Sequence, residues 1–215
     1  MTTTTLILAR HGQTDHNLHQ RYQGQSDVPM NDTGRAQVRA AARHLAGVQA
    51  AAIYTSDLTR CRETANIIGA ALGLEPVIVP ALRERSFGRL EGLTHEEAAA
   101  RFPESWAQRL RARDDSEGWI PPAGESLADM WGRVLDSVRP LWERHEGQTF
   151  IIAAHAGPLK TIICEALGAG VETRSAFVAA NGSISVVTQE ATRPAVSLLN
   201  ETCHLKGLPA DAEAD

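Results

Sequence analysis

The chain is short of the features that would place it in a specialised class. It has three cysteines, Cys61, Cys164 and Cys203, in 215 residues. That is an odd number with no C-x-x-C pair, which argues against a disulfide framework and supplies no redox or zinc motif. Reduced thiols packed as small apolar side chains are the expectation. No run reaches the roughly 18 apolar residues of a membrane span. The Met-Thr-Thr-Thr-Thr start has neither the basic segment nor the apolar stretch of a signal peptide. A cytoplasmic protein with no membrane partner is expected. Basic residues are not in excess either: 21 Lys and Arg face 26 Asp and Glu, a net charge of -5. Nucleic acid is therefore not an expected partner, and any anion site must be built by local clustering of cations. Internal repeats and low-complexity linkers are missing too, so residues 1–215 read as one domain.

What is present is ordinary globular material, 43% hydrophobic and 22% charged, enough for a sizeable core. Short β-type runs alternate with longer helical stretches, which predicts an α/β fold with a mostly parallel sheet. Strands are expected at 4–9, 52–55 and 75–79, in the apolar run starting at Phe150, and at 183–188 and 195–199 as a closing hairpin or edge pair. Helices are expected at 33–45, capped by Asn31 or Asp32, and at 58–72, capped by Ser56 or Asp57 and closed by Gly73. Two more are expected, from Glu125-Ser126 to about His145 and over 159–167. Between about 94 and 122 the composition turns rich in Glu, Arg and Ala and the β/α rhythm breaks, as a small helical lid insertion would read. The tail, 209–215, alternates Ala with acids and reads as a frayed end.

Two segments share one grammar. Leu6-Ile7-Leu8-Ala9-Arg10-His11-Gly12 and Phe150-Ile151-Ile152-Ala153-Ala154-His155-Ala156-Gly157 are apolar runs ending in His and Gly. Ligands of open α/β sheets collect beyond the carboxyl ends of strands, so two imidazoles and a guanidinium can meet in one crevice and hold a phosphate dianion. Thr14 and Asn17 offer neutral donors, and Gly12 reads as a place where substrate approaches the backbone. Arg60 falls in the first turn of the helix after the second strand and adds a third cation; Arg62 points elsewhere, toward Glu63 or solvent. After the third strand, Glu84 and Glu91 lie among Arg83, Arg85 and Arg89, and either acid is placed to protonate a departing oxygen. Spacing alone does not choose between them. His11, His16, His19 and Asp15 do not fall on one face of a strand or helix, so a metal site is not expected. The tryptophans read as core or lid packing.

Arg10-His11-Gly12-Gln13-Thr14 with Asn17 resembles the signature of the histidine phosphatase superfamily, the phosphoglycerate-mutase-like proteins. The resemblance runs on through Gln23-Gly24, Leu58-x-Arg60 with Thr64-Ala65, Glu84 with Phe87-Gly88 and Glu91-Gly92, Gly124-Glu125-Ser126 and His155. It implies a three-layer α/β/α sandwich and a phosphohistidine mechanism without metal or other cofactor, acting on a small phosphorylated metabolite. His11 would be the nucleophile, and Arg10, Arg60 and His155 would hold the phosphoryl oxygens. Glu84 would be the proton donor and then the base. Asn17, Thr14, Gln23, Gly24 and Ala156 would form the rest of the substrate site. Many relatives have Gly where this chain has Ala156, which narrows the floor by a methyl. Ser86-Phe87-Gly88 replaces the Tyr-containing motif of the mutases and favours the phosphatase branch. A phosphoglycerate mutase and a non-catalytic phospho-ligand module are the alternatives, and a homodimer is common in the family. The ending Leu199-Asn200-Glu201-Thr202-Cys203-His204 resembles a segment that folds back to the mouth of the site; the other reading is a strand that runs past the sheet edge.

Overall fold

The computed structural model describes residues 3–112, 118–190 and 193–208; the expected frayed tail, 209–215, and part of the expected lid, 113–117, lie outside them. Six strands form one sheet in the order β3-β2-β4-β1-β5-β6. These are β1 (Thr4–Arg10), β2 (Ala52–Thr55), β3 (Pro76–Ile78), β4 (Thr149–Ala154), β5 (Ile184–Glu190) and β6 (Arg193–Glu201). The first four run parallel, and β5 and β6 add an antiparallel flank. β1 and β4 are nearly continuous apolar runs because parallel central strands are covered on both faces. Leu6, Leu8, Phe150 and Ile152 face one layer, and Ile7, Ala9, Ile151 and Ala153 face the other.

Helices fill both layers, giving the three-layer α/β/α sandwich. On one face lie α2 (Asp32–His44) and α3 (Thr59–Leu72); on the other lie α6 (Leu127–Arg144) and α7 (Ala156–Leu167). Asn31 caps α2 by accepting from the Gly34 amide at 2.9 Å, and Ser126 caps α6 through Asp129 N at 3.0 Å. In α6, Leu127, Met130, Val134, Val138 and Leu141 repeat at helical spacing and are buried. The expectation for α3 needs correction. Its N-cap is Leu58, with no side-chain cap bond, because Ser56 and Asp57 are used elsewhere, on His155 and Arg83. The helix expected from 159 begins three residues earlier, at Ala156.

The short helix α1 (Asp15–Leu18) comes after β1, and α4 (His95–Arg101) and α5 (Pro103–Arg111) form the inserted segment. The insertion has its own small core of Tyr22, Leu90, Ala98, Ala112 and Trp119, with Phe87, Phe102 and Trp106 against it. The tryptophans expected to pack the lid do so, and Trp119 Nε1 donates to Ser105 Oγ at 3.1 Å. No helix of the described residues is long and apolar enough to cross a membrane.

Candidate active site

Topology brings the site together. β4 enters between β2 and β1, with Arg10 paired to Ala154 and Thr55 to Ala153, so the residues after all three strands meet at one sheet edge. His11 N donates to Ala154 O at 3.0 Å, and the His11 and His155 rings lie edge to face with centroids 5.3 Å apart. Both are almost wholly buried. A cavity of about 310 Å³ opens over this edge, lined by Arg10, His11, Asn17, Gln23, Gly24, Arg60 and Glu84. Its outer wall is His16, Gln20, Arg21, Tyr22, Phe87 and His95.

The two imidazoles are held as opposite tautomers. His11 Nδ1 lies 2.8 Å from Gly12 O; a carbonyl only accepts, so Nδ1 carries the proton and Nε2 keeps its lone pair. Burial pushes the His11 pKa well below 6.5, and Arg60 and Arg10 push it further, so the ring is neutral near pH 7. His155 Nδ1 accepts from Arg60 Nε at 3.2 Å, which leaves its proton on Nε2, donated to Ser56 Oγ at 2.8 Å. Burial, then Arg60, also holds His155 well below 6.5. Cys61 Sγ sits 3.3 Å from His155 Nε2, and burial pushes its thiol up to about 12.

Arg60 is a buried cation satisfied by acceptors. Beyond His155 it donates to Ser26 O at 2.8 Å and Gly24 O at 2.7 Å. A guanidinium has five N–H groups, so two remain for an anion. Thr14 does not line the cavity; it caps α1 and turns the amides beside it. Its backbone N–H donates to Asn17 Oδ1 at 3.1 Å and its hydroxyl to Gln23 Oε1 at 2.8 Å. Both side-chain oxygens are thereby occupied, leaving both NH₂ groups as donors at the cavity wall.

The structure separates the two acids that spacing could not. Glu91 is a tie, accepting from Gln25 N and Phe87 N at 3.0 Å and from Ser26 Oγ at 2.7 Å. Glu84 lines the cavity, its oxygens accepting from Arg85 N at 2.8 Å and Gly157 N at 3.1 Å. A Cβ on Gly157 would stand 2.1 Å from Glu84 Oε1, so glycine there makes room for the carboxylate. Two of the neighbouring arginines have partners elsewhere. Arg83 bonds Asp57, and Arg85 bonds Glu125 O and Trp119 O. Arg62 is exposed, and Glu63 pairs with Arg35.

Three further expectations change, and the open choice over His204 is resolved. Gly12 does not serve substrate approach: a Cβ there would meet Gly34 O at 2.2 Å, so the glycine lets β1's end pack on α2. His155 and Ala156 are not among the cavity-lining residues; His155 is bonded to Arg60 and Ser56, and Ala156 begins α7. His204 is not at the mouth but on Gly182 O at 2.9 Å, stacked on His44. Sequence reasoning also missed Ser56, Asn181 and Arg133. Asn181 Nδ2 donates to His11 O at 3.0 Å, and Arg133 from α6 fastens Ala81 O, Arg83 O and Glu84 O. Only a Ser directly after a strand hinted at the first; nothing local marked the others.

Fold and site define an α/β/α protein with imidazoles and guanidinia gathered at the carboxyl edge of a mostly parallel sheet. The profile described as Histidine phosphatase superfamily (branch 1) matches residues 6–202, and the chain belongs to that family. It is 32% identical to Phosphoserine phosphatase 1 of Hydrogenobacter thermophilus over 200 residues, covering 93% of both chains. It is 35% identical to 2,3-bisphosphoglycerate-dependent phosphoglycerate mutase 2 of Gloeobacter violaceus over 172 residues, 74% of each. The solved structure of a mycobacterial glucosyl-3-phosphoglycerate phosphatase superposes with a TM-score of 0.82 at 30% identity, over 92% of this chain and 99% of that one.

Proposed function

We propose that this protein is a cytoplasmic phosphatase that hydrolyses small-molecule phosphomonoesters through a phosphohistidine on His11. The observation that carries the reading is the His11 tautomer: a neutral ring, its Nδ1–H fixed on Gly12 O, with the Nε2 lone pair free in a cavity lined by cations. In the first step Nε2 forms a bond to phosphorus while the bond to the leaving oxygen breaks, and Glu84, carrying a proton, gives it to that oxygen. In the second step water attacks phosphorus, Glu84 takes the proton, and inorganic phosphate leaves with Nε2 restored.

Arg10, Arg60, Asn17 and Gln23 supply donors for the equatorial oxygens of a loose transition state, which needs placement and charge more than covalent help. His155 acts through Arg60, whose guanidinium it aims. The reaction runs on side chains alone. The outer wall, aromatic and amide-bearing, suits a leaving group of modest size.

The test is hydrolysis of p-nitrophenyl phosphate with alkaline-quench trapping of phosphohistidine labelled at phosphorus. Wild-type turnover no greater than that of His11→Ala would end the reading. The mutase alternative shares the first step and differs in returning the phosphoryl group to substrate; bisphosphate-primed mutase activity exceeding hydrolysis would replace the phosphatase reading.

A further inference from the structure

The segment 179–183 bonds directly to residues of the site. Arg10 donates to Ala179 O, and Arg10 N donates to Ser183 O at 3.0 Å. Gly182 N and Asn181 Nδ2 both donate to His11 O, at 3.1 and 3.0 Å, and Asn181 Nδ2 also lies 3.3 Å from Asn17 Oδ1. Three of the residues placed on the phosphoryl group therefore lean on one five-residue loop. Gly182 has φ +71, and a Cβ there would meet Gln37 Cβ at 2.9 Å, so the loop is tightly seated.

What holds the loop from behind is the C-terminal segment. The ladder between β5 and β6 shifts register, with Ile184 opposite Glu201 and Val186 opposite Leu198. Two residues, Leu199 and Asn200, thus face the single Ser185. Such a bulge re-aims side chains. Asn200 sits there at φ +51, a left-handed conformation that Asn tolerates better than most side chains. Its backbone N–H donates to Ser185 Oγ at 2.9 Å, and its Oδ1 accepts from Ala180 N at 2.7 Å. Beyond the bulge a single turn, Cys203–Leu205, presents His204, whose Nε2–H donates to Gly182 O at 2.9 Å. The His204 ring is stacked on His44 at the end of α2, with centroids 5.1 Å apart.

We infer that Asn200 and His204 are positioning residues for the nucleophile, forming a brace that fixes His11 and Arg10 through the 179–183 loop. The inference rests on His11 being the nucleophile. Asn200 holds the amide of Ala180 and His204 the carbonyl of Gly182, so the two bonds fasten the residues on either side of Asn181. Releasing either lets the His11 carbonyl and the Arg10 guanidinium move together. In-line phosphoryl transfer is sensitive to shifts of about 1 Å, which can cost on the order of 100-fold.

Four variants test it. Asn200→Gly keeps the left-handed backbone and removes the acceptor, whereas Asn200→Asp keeps both. His204→Ala removes the donor, whereas His204→Gln returns an N–H. The expected result is a kcat on p-nitrophenyl phosphate lowered about tenfold or more in Asn200→Gly and His204→Ala, with KM changed less than kcat. Asn200→Asp and His204→Gln should stay within about threefold of wild type. Calorimetric Kd for inorganic phosphate should show the same order. Both brace-breaking variants with kcat and phosphate Kd within twofold of wild type, whatever their Tm, would overturn the inference. Wild-type protein that binds phosphate without hydrolysing any ester would instead strike the phosphatase reading, and the phosphate Kd series would still judge the brace.

Discussion

β1 and β4 lie side by side, run parallel and end alike, in an apolar run closed by histidine. Their imidazoles nonetheless differ. His11 has one nitrogen tied to its neighbour's carbonyl and the other free at the cavity; His155 has both nitrogens engaged, by Arg60 and Ser56, and no cavity surface. The cause lies in the path of the chain beyond each strand. After His11 the chain turns into a loop and the four-residue α1, which leaves space above the ring. After His155 it enters α7 at once, under the start of α3 from β2. Equal strand grammar places two rings side by side; the surrounding elements leave one facing the cavity and bond the other to the guanidinium.

The largest effect should separate the two rings. His11→Ala should lower kcat at least about 10⁴-fold, as loss of a nucleophile does. His155→Ala should cost about 10²-fold, the scale of a disturbed transition-state donor. Steady-state kinetics on p-nitrophenyl phosphate with trapping of phosphohistidine checks both, and equal losses would remove the asymmetry. The two acids sharpen the same contrast. Glu84→Gln should lose about 10²–10⁴ in kcat with poor leaving groups and much less with p-nitrophenol, which departs without a proton. Glu91→Gln should lower Tm while kcat changes by less than about threefold, because it ties Gln25, Ser26 and Phe87.

A smaller effect, roughly tenfold or about 1.4 kcal/mol, is expected for Ser56→Ala. The readout specific to its role is nitrogen-15 NMR of His155: the Nε2–H tautomer in wild type, a shifted or mixed tautomer in the variant. An unchanged His155 spectrum would refute it. The smallest effect is on pH dependence. His11 and His155 are both depressed below 6.5, burial first. The unfolded chain therefore takes up more protons than the folded one as pH falls through about 6.5, and stability declines from there toward the depressed values. In phosphate-free buffer, Tm should fall more steeply between pH 7 and pH 5 for wild type than for a His11→Asn, His155→Asn double variant. Parallel slopes would contradict the assignment of two buried neutral imidazoles.

Much of the fold was legible because its signals are local. The period of apolar residues, the Asn31 and Ser126 caps, and Gly73, which closes α3 in a left-handed turn, mark elements by their own few residues. Cap assignment failed at α3 because Ser56 and Asp57 have long-range partners that outcompete the helix end. The Gly12 reading failed in the same way: the atom that forbids a side chain belongs to Gly34. His11 and Arg10, read from a strand end, and Arg60, read from the first turn of a helix, line the cavity, whereas Asn181 and Arg133 act across separations no local pattern carries.

The order of amino acids by itself determined which segments form strands, which faces are apolar, and that cations and imidazoles fall just beyond the strand ends, because propensity and side-chain period are properties of neighbours in the chain. Only the tertiary structure decided which acid faces the cavity, which nitrogen of each histidine carries the proton, and that Asn200 and His204 bond the loop on which His11 rests. Those outcomes turn on hydrogen bonds between residues tens to more than a hundred positions apart, such as Glu84 with Gly157, Ser56 with His155 and Asn181 with His11. Their geometry exists only once the sheet has set β1, β2 and β4 side by side.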